Sequence, residues 1–260
     1  MKIRILISLI TCLPLILAAQ NVGVGTETPQ GKLQVTGSAD SSQFIIDAYS
    51  AQTNFHPLIR LRKSDGTDLM WINSDHVANT FIGFNTGQVN NAASGGIKNT
   101  FLGSEAGISN TTGNRNTASG MQTLYSNTTG SGNSANGHSA LYFNTTGLSN
   151  TASGDSSLYL NTVGNRNTAY GKFSLLNNVG GSNATAIGYN AMQYAYNLSS
   201  PFTNSNVALG FEALRGSVVP SANTGNYNTA IGYQSLLNNS TGYQNTAVGM
   251  SAMGANTTGY

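Results

Sequence analysis

Residues 116–130 read NTASGMQTLYSNTTG, and the phrase returns as NSANGHSALYFNTTG from 133 and as NTASGDSSLYLNTVG from 150. Aligning the chain on Asn-Thr-Ala-x-Gly and its variants places unit starts at 79, 99, 116, 133, 150, 167, 184, 206, 228 and 245. The spacing is 20 once, 17 five times, 22 twice and then 17 again. A short fixed period marks a solenoid, whose unit is too small to bury a core alone and is stable only when stacked.

The places inside the unit carry the physics. The third place is Phe101, then Ala118, Ala135, Ala152 and their successors through Ala247, which fits a narrow interior. The ninth place supplies one larger apolar side chain per unit, from Leu124, Leu141 and Leu158 to Met253. One such side chain contributes roughly 1.5–3 kcal/mol. Ordering 17 residues costs about 1–2 kcal/mol each, so backbone bonds between stacked units must supply the difference. Glycine holds the fifth place from Gly83 to Gly249, and a second follows ten residues later at Gly113, Gly130, Gly147, Gly164, Gly181, Gly242 and Gly259. Because glycine tolerates positive φ and close backbone approach, the two predict two corners per coil. Asn110, Asn127, Asn144 and Asn161 suit turns and can form amide ladders between coils.

The fold class that follows is mainly β: a parallel β-solenoid, or β-roll, of 17-residue coils over residues 79–260. One short strand per coil is expected, with a return such as GMQTLYSN (120–127) or GYQSLLNN (232–239) that would also accept one helical turn. Ten coils at a strand spacing of about 4.8 Å would extend on the order of 50 Å. Only 8% of the 260 residues are charged, against about 25% in an ordinary globular chain. Disorder would require high net charge or unpatterned composition.

Before the repeats, PLIRLRKSDGTDLMWIN (57–73) alternates apolar and polar residues around Asp65-Gly66, which predicts a β-hairpin. Residues 38–78 are therefore expected to form a small β cap or neck that covers the open strand edge of the first coil. Residues 1–19, MKIRILISLITCLPLILAA, have basic Lys2 and Arg4, an apolar run and small Ala18 and Ala19. That is the pattern of a secretory signal peptide, too short for a membrane span, and it implies a secreted or cell-surface chain with no span once processed. The lone Cys12 lies inside it; lipidation there is disfavoured by bulky Thr11 and by the apolar sequence that continues past it. Removing the segment leaves nine basic and nine acidic residues and no thiol, which excludes disulfides and thiolate metal sites and leaves no electrostatic footprint for nucleic acid.

The phrases NVALG (206–210), NTAIG (228–232) and NTAVG (245–249) resemble the YadA-like head repeats of trimeric autotransporter adhesins. This resemblance implies a left-handed parallel β-roll, although those heads use shorter units and so a shorter return. NVGVGTETPQGKLQVTG (21–37) resembles the N-terminal signature of secreted bacterial fibre proteins that often end in an endosialidase-type intramolecular chaperone. Together the resemblances imply a homotrimer and a glycan or host-surface ligand. Tyr260 falls where a further repeat would begin, so the expectation is a fragment of a longer gene product.

Candidate site residues fall in three groups. His138, Asp155 and Lys172 share the sixth place of successive units, an exposed charge ladder on one reading and an acid/base pair on another. Tyr125, Tyr142 and Tyr159 share the tenth place, where a column of rings either stacks on itself or receives sugar rings and neighbouring subunits. Later sixth places hold Tyr189, Phe211 and Tyr233. The two 22-residue units put five additional residues after Met192 and after Leu214, so adjacent coils would bulge at one corner, with Pro201 and Pro220 in the bulges. Tyr194, Tyr196 and Phe202 give that corner contact area for a partner, unless the insertions are merely tolerated.

His56 and His76 lack the paired spacing of a zinc site, and the glycines of NVGVGTE lack the helix of a phosphate loop. No catalytic residue, cofactor or metal is assigned. The expected function is a non-enzymatic surface fibre or adhesin head that presents a binding face. The alternatives are a purely structural stalk and a β-helical polysaccharide-degrading enzyme.

Overall fold

The computed structural model describes residues 22–24, 33–35, 54 and 56–259. The expected signal peptide, most of the 20–37 motif and residues 38–53 of the expected cap lie outside the described residues. The chain divides into two compact units, Met1–Ala48 and Tyr49–Tyr260. In the first, β1 (Val22–Val24) pairs in parallel with β2 (Leu33–Val35).

The second unit opens with an antiparallel hairpin of β3 (Ile59–Arg62) and β4 (Asp68–Asn73). Gly66 supplies the turn's positive φ of 88°, and Asp65 Oδ1 accepts the Thr67 N–H at 2.8 Å. Asp68 accepts from Arg60 Nε at 3.1 Å and from Arg62 Nε at 3.0 Å. The Arg60 hydrogen bond holds the Asp68 carboxyl below its ordinary range against a smaller desolvation effect. Strand β4 then runs antiparallel to β5 (Thr80–Ile82), so the hairpin covers the edge of the first coil.

From β5 onward the sheet is parallel and in register. Its strands are β6 (Thr100–Leu102), β7 (Thr117–Ser119), β8 (Ser134–Asn136), β9 (Thr151–Ser153) and β10 (Thr168–Tyr170). After β11 (Gly181–Ser182) it continues through β12 (Thr185–Ile187). After β13 (Phe202–Thr203) it continues through β14 (Val207–Leu209), β15 (Thr229–Ile231) and β16 (Thr246–Val248). Each third-place residue pairs with the next: Phe101 with Ala118, Ala118 with Ala135, Ala135 with Ala152. These residues and the ninth-place leucines are buried and form one continuous core. In the first two coils the sizes exchange, with Phe81 and Phe101 in the third place and Gly87 and Gly107 in the ninth.

The return is not the single helical turn that its sequence would accept. Residues 121–126 are consecutive turns in which Gln122 and Leu124 take left-handed backbone, at φ 56° and 53°. Left-handed backbone costs a non-glycine residue about 1–2 kcal/mol. The stack holds it there, because Gln122 N–H donates to Ser104 O of the preceding coil at 2.9 Å and Leu124 N–H to Ala140 O of the following coil at 3.0 Å. A helix would close those donors within the segment and leave the coils unjoined.

The two glycines also differ from the expectation of two similar corners. The fifth-place glycines have the positive φ, as at Gly103 (133°), where a β-carbon would stand 2.6 Å from Gly120 C. The later glycines do not adopt positive φ; they leave room instead, since a β-carbon on Gly130 would lie 2.7 Å from Asn144 Nδ2.

Two asparagine ladders run along the stack. In the first place, Asn116 Oδ1 accepts the Asn133 N–H at 2.9 Å while its Nδ2 donates to Gly130 O at 2.8 Å. In the twelfth place, Asn127 Nδ2 donates to Asn110 Oδ1 at 2.6 Å, Asn144 to Asn127 at 2.7 Å and Asn161 to Asn144 at 2.8 Å. Each of these three also donates to the carbonyl of the glycine three residues on. Buried amides are thus satisfied side chain to side chain, and the coil needs little apolar filling.

Candidate binding site

The two ladders break in adjacent coils, the first-place ladder in the coil starting at 184 and the twelfth-place ladder in the coil starting at 206. In the first place, the Ala184 N–H still donates to Asn167 Oδ1 at 3.0 Å, but alanine has no side-chain oxygen to accept the N–H of the next coil. Asn206 resumes the ladder, its Oδ1 accepting the Asn228 N–H at 2.8 Å and its Nδ2 donating to Gly225 O at 2.9 Å, and that Nδ2 also donates to Asn204 Oδ1 at 2.7 Å. In the twelfth-place ladder, Asn178 is followed by Asn204, whose Nδ2 donates to Asn178 Oδ1 at 3.2 Å. The next rung is missing. Most other coils spell Asn-x-x-Gly at this point, as in Asn239-Ser240-Thr241-Gly242, whereas here the residue three before Gly225 is Ala222. The neighbouring Asn223 turns away, donating to Tyr194 O and to Ser217 O, while its Oδ1 accepts from Ser217 N at 2.9 Å.

The two longer returns meet at this break. Phe202 lies in β13, which pairs in parallel with β11, and its ring meets Tyr196 edge to face at 5.2 Å. Pro220–Ala222 forms a short 3-10 turn in the second return. Asn226 ties the returns together by donating to Thr203 O at 2.8 Å and accepting from Ser205 N at 2.7 Å. Between them lies a cavity of about 140 Å³. Its aromatic wall is Tyr194, Tyr196 and Phe202, all half-buried. Met192, Ala195 and Leu214 form an apolar base, and Asn204, Asn206 and Asn239 add amides. None of the described residues lining it is charged.

The structure therefore brings Tyr194, Tyr196 and Phe202 into one wall. It places Tyr125, Tyr142 and Tyr159 elsewhere, as a column of half-buried stacked rings with centroids 4.7 and 5.2 Å apart. Phe143 packs edge-on against Tyr142 and Tyr159. Burial, and then the neighbouring Tyr125 and Tyr159 phenols, push the Tyr142 phenol above its ordinary value of 10.0. Tyr189, Phe211 and Tyr233 form a second, exposed column with centroids 5.3 and 5.2 Å apart.

In the charge column, Lys172 Nζ is 3.6 Å from Asp155 Oδ2 and lies over the Phe173 ring at 4.7 Å. His138 Nε2 lies 3.4 Å from Ser139 Oγ. Beyond it, Glu212 accepts from Gln234 Nε2 at 2.8 Å and Arg215 Nη1 at 3.0 Å. His76 Nδ1 accepts the Ala78 N–H at 3.1 Å. Among the described residues no group of three or more His, Cys, Asp or Glu is gathered for a metal ion, and no helix is long and apolar enough to cross a membrane.

Sequence reasoning found the aromatic wall from the lengthened units but missed the amides beneath it. Their signal was present as Ala184 and Ala222, where the repeat otherwise has asparagine. No family model, curated protein or solved structure matches this chain.

Proposed function

We propose that this chain is a non-enzymatic segment of a secreted bacterial surface fibre or adhesin head, in which the stacked coils are a scaffold and the outer side of the lengthened coils binds a glycan or host-surface ligand. The observation that carries this reading is the coincidence of three departures in the coils starting at 184 and 206: longer returns, both ladder breaks and a cavity walled by Tyr194, Tyr196 and Phe202. A scaffold that only spans distance gains nothing from interrupting its own amide ladder, since a missing buried hydrogen bond weakens the stack.

The chain would assemble as a homotrimer. An exposed stripe of Ile187, Leu209 and Val248 beside Tyr189, Phe211 and Tyr233 offers apolar area for neighbouring subunits. A stalk without ligand is the second reading, favoured by the Tyr125, Tyr142 and Tyr159 rings stacking on one another. The full-length chain, and a variant whose two 22-residue units are trimmed to the 17-residue form, are compared on a glycan array and on host cells, with sedimentation giving the subunit number. Binding that disappears on trimming supports the adhesin with this face; equal binding by both chains overturns the lengthened coils as the binding face; no binding by either leaves the stalk. Turnover of a polysaccharide on the array would replace both with the enzyme.

A further inference from the structure

We infer that the gap left by the missing rung is a binding site for an acetamido group carried on a sugar ring, an N-acetylated hexosamine. The inference rests on the glycan-binding reading of the lengthened coils and specifies its ligand.

The gap has a defined polarity. In the regular ladder each amide donates to the rung before it and accepts from the rung after it, as Asn144 does between Asn127 and Asn161. Asn239 keeps the second half, accepting from Asn256 Nδ2 at 3.0 Å and donating to Gly242 O at 3.0 Å. Its donation to a preceding rung has no counterpart among the described residues. On the other side, Asn204 Oδ1 accepts one bond, from Asn206 Nδ2, and a carbonyl oxygen has capacity for two. The space at Gly225 shows the same vacancy from the backbone. At Gly113, Gly130 and Gly147 the nearest neighbours of a built β-carbon include Oδ1 of the asparagine three residues earlier, but at Gly225 they are Gly242 O, Asn239 Nδ2 and Ser240 O.

What fits is a group that donates on one side and accepts on the other. A secondary amide in its planar trans form points N–H and C=O in opposite directions, the polarity of one asparagine rung. Its carbonyl would accept from Asn239 Nδ2 and its N–H would donate toward Asn204 Oδ1. The two flanking rungs are two coil spacings apart, about 10 Å on a 4.8 Å repeat, which one amide with its hydrogen bonds spans. The cavity of about 140 Å³ compares with the ~150 Å³ that takes up benzene in an engineered apolar core. It therefore holds the acetamido group, whose methyl meets the Met192, Ala195 and Leu214 base, while the sugar ring remains at the mouth. There Tyr194, Tyr196 and Phe202 offer ring faces and edges to the C–H surface of a pyranose. An uncharged lining selects a neutral ligand over a carboxylated or phosphorylated one.

The test titrates the full-length chain with methyl N-acetyl-β-glucosaminide, methyl β-glucoside and the neutral peptide acetyl-diglycine amide, following the side-chain amide signals of Asn239 and Asn204 by NMR. The expected result is a shift of both signals with the acetamido sugar, affinity at least about tenfold weaker for the glucoside, and weaker binding of the peptide than of the sugar. Ala195→Leu, which fills the base, should abolish the shifts while thermal unfolding shows the fold retained. If that variant does not fold, the ligand series and the two amide signals decide alone. Equal affinity for glucoside and acetamido sugar, tighter binding of the peptide, or no shift at Asn239 and Asn204 overturns the inference. Array binding without acetamido preference would sink this assignment and leave the adhesin standing. Acetamido-sugar binding in solution with no cell or array binding would do the reverse.

Discussion

Gly107 faces the ring of Phe101 so closely that a β-carbon on the glycine would stand 2.6 Å from Cδ2 of the phenylalanine. The coils that follow have the opposite arrangement, alanine in the strand and leucine in the return, as in Ala118 with Leu124. One interior volume is thus filled from one side of the coil or from the other. Phe101→Ala should destabilise by about 3–5 kcal/mol through the cavity it leaves, and by the loss of its stacking on Phe81 at 5.2 Å. Gly107 has φ 56°, close to the 53° of Leu124, so the double change Phe101→Ala with Gly107→Leu should recover most of the loss. Denaturant unfolding of the single and double variants measures this; a double variant no better than Phe101→Ala would break the size-exchange account.

Asn144 is fully buried and makes two side-chain donations and one acceptance within the ladder. Asn144→Ala leaves Asn161 Nδ2 and Asn127 Oδ1 each without that partner, at about 1–3 kcal/mol for each buried group left unpaired. A loss on the order of 3 kcal/mol in unfolding free energy is expected. Asn144→Asp should be worse at neutral pH, because a carboxylate cannot donate to Asn127 and adds a buried charge. Hydrogen exchange should show the loss spreading to adjacent coils, as in any stack coupled to its neighbours.

Glu212 gives the stack an acid-sensitive contact. Its burial would raise the carboxyl's pKa, but hydrogen bonds from Gln234 and the nearby Arg215 outweigh that and hold it below its ordinary 4.5. A depressed folded-state value means stability that is present above the ordinary value and lost as pH falls through the folded one. Unfolding measured from about pH 5 down to about pH 3 should therefore show the parent chain losing more stability than Glu212→Gln. Parallel curves would show that the carboxylate contributes nothing.

Tyr142 should be the late-titrating member of its column, since burial and two flanking phenols oppose its ionisation. Absorbance titration should lose a high-pH component in Tyr142→Phe. In Tyr125→Phe that component should move down toward the ordinary 10.0, because one of the two flanking phenols is gone. Loss of only an ordinary component near 10.0 in Tyr142→Phe, with no shift in Tyr125→Phe, would mean that the three phenols are not gathered in solution.

The hairpin around Asp65-Gly66 and the parallel coils were readable because each is written in local chemistry: a turn dipeptide between alternating residues, and an alanine repeated at the third place. The aromatic wall of Tyr194, Tyr196 and Phe202 was readable as two lengthened units. The left-handed backbone of Leu124 was not, because bulky residues ordinarily avoid it and only bonds to the coils before and after hold it there. The amides of Asn204 and Asn239 were missed for a related reason, since their importance lies in a neighbour that is absent from the next coil.

By itself the sequence determined that coils of 17 residues stack in parallel, because a narrow alanine interior and corner glycines permit little else. Tertiary structure decided which groups meet across the coil spacing: Asn127 with Asn110, Leu124 N–H with Ala140 O, and Tyr196 with Phe202 over an unfilled rung. Composition and period are properties of one coil. Hydrogen-bond satisfaction and the cavity belong to pairs of coils, and those pairs exist only once the chain has folded.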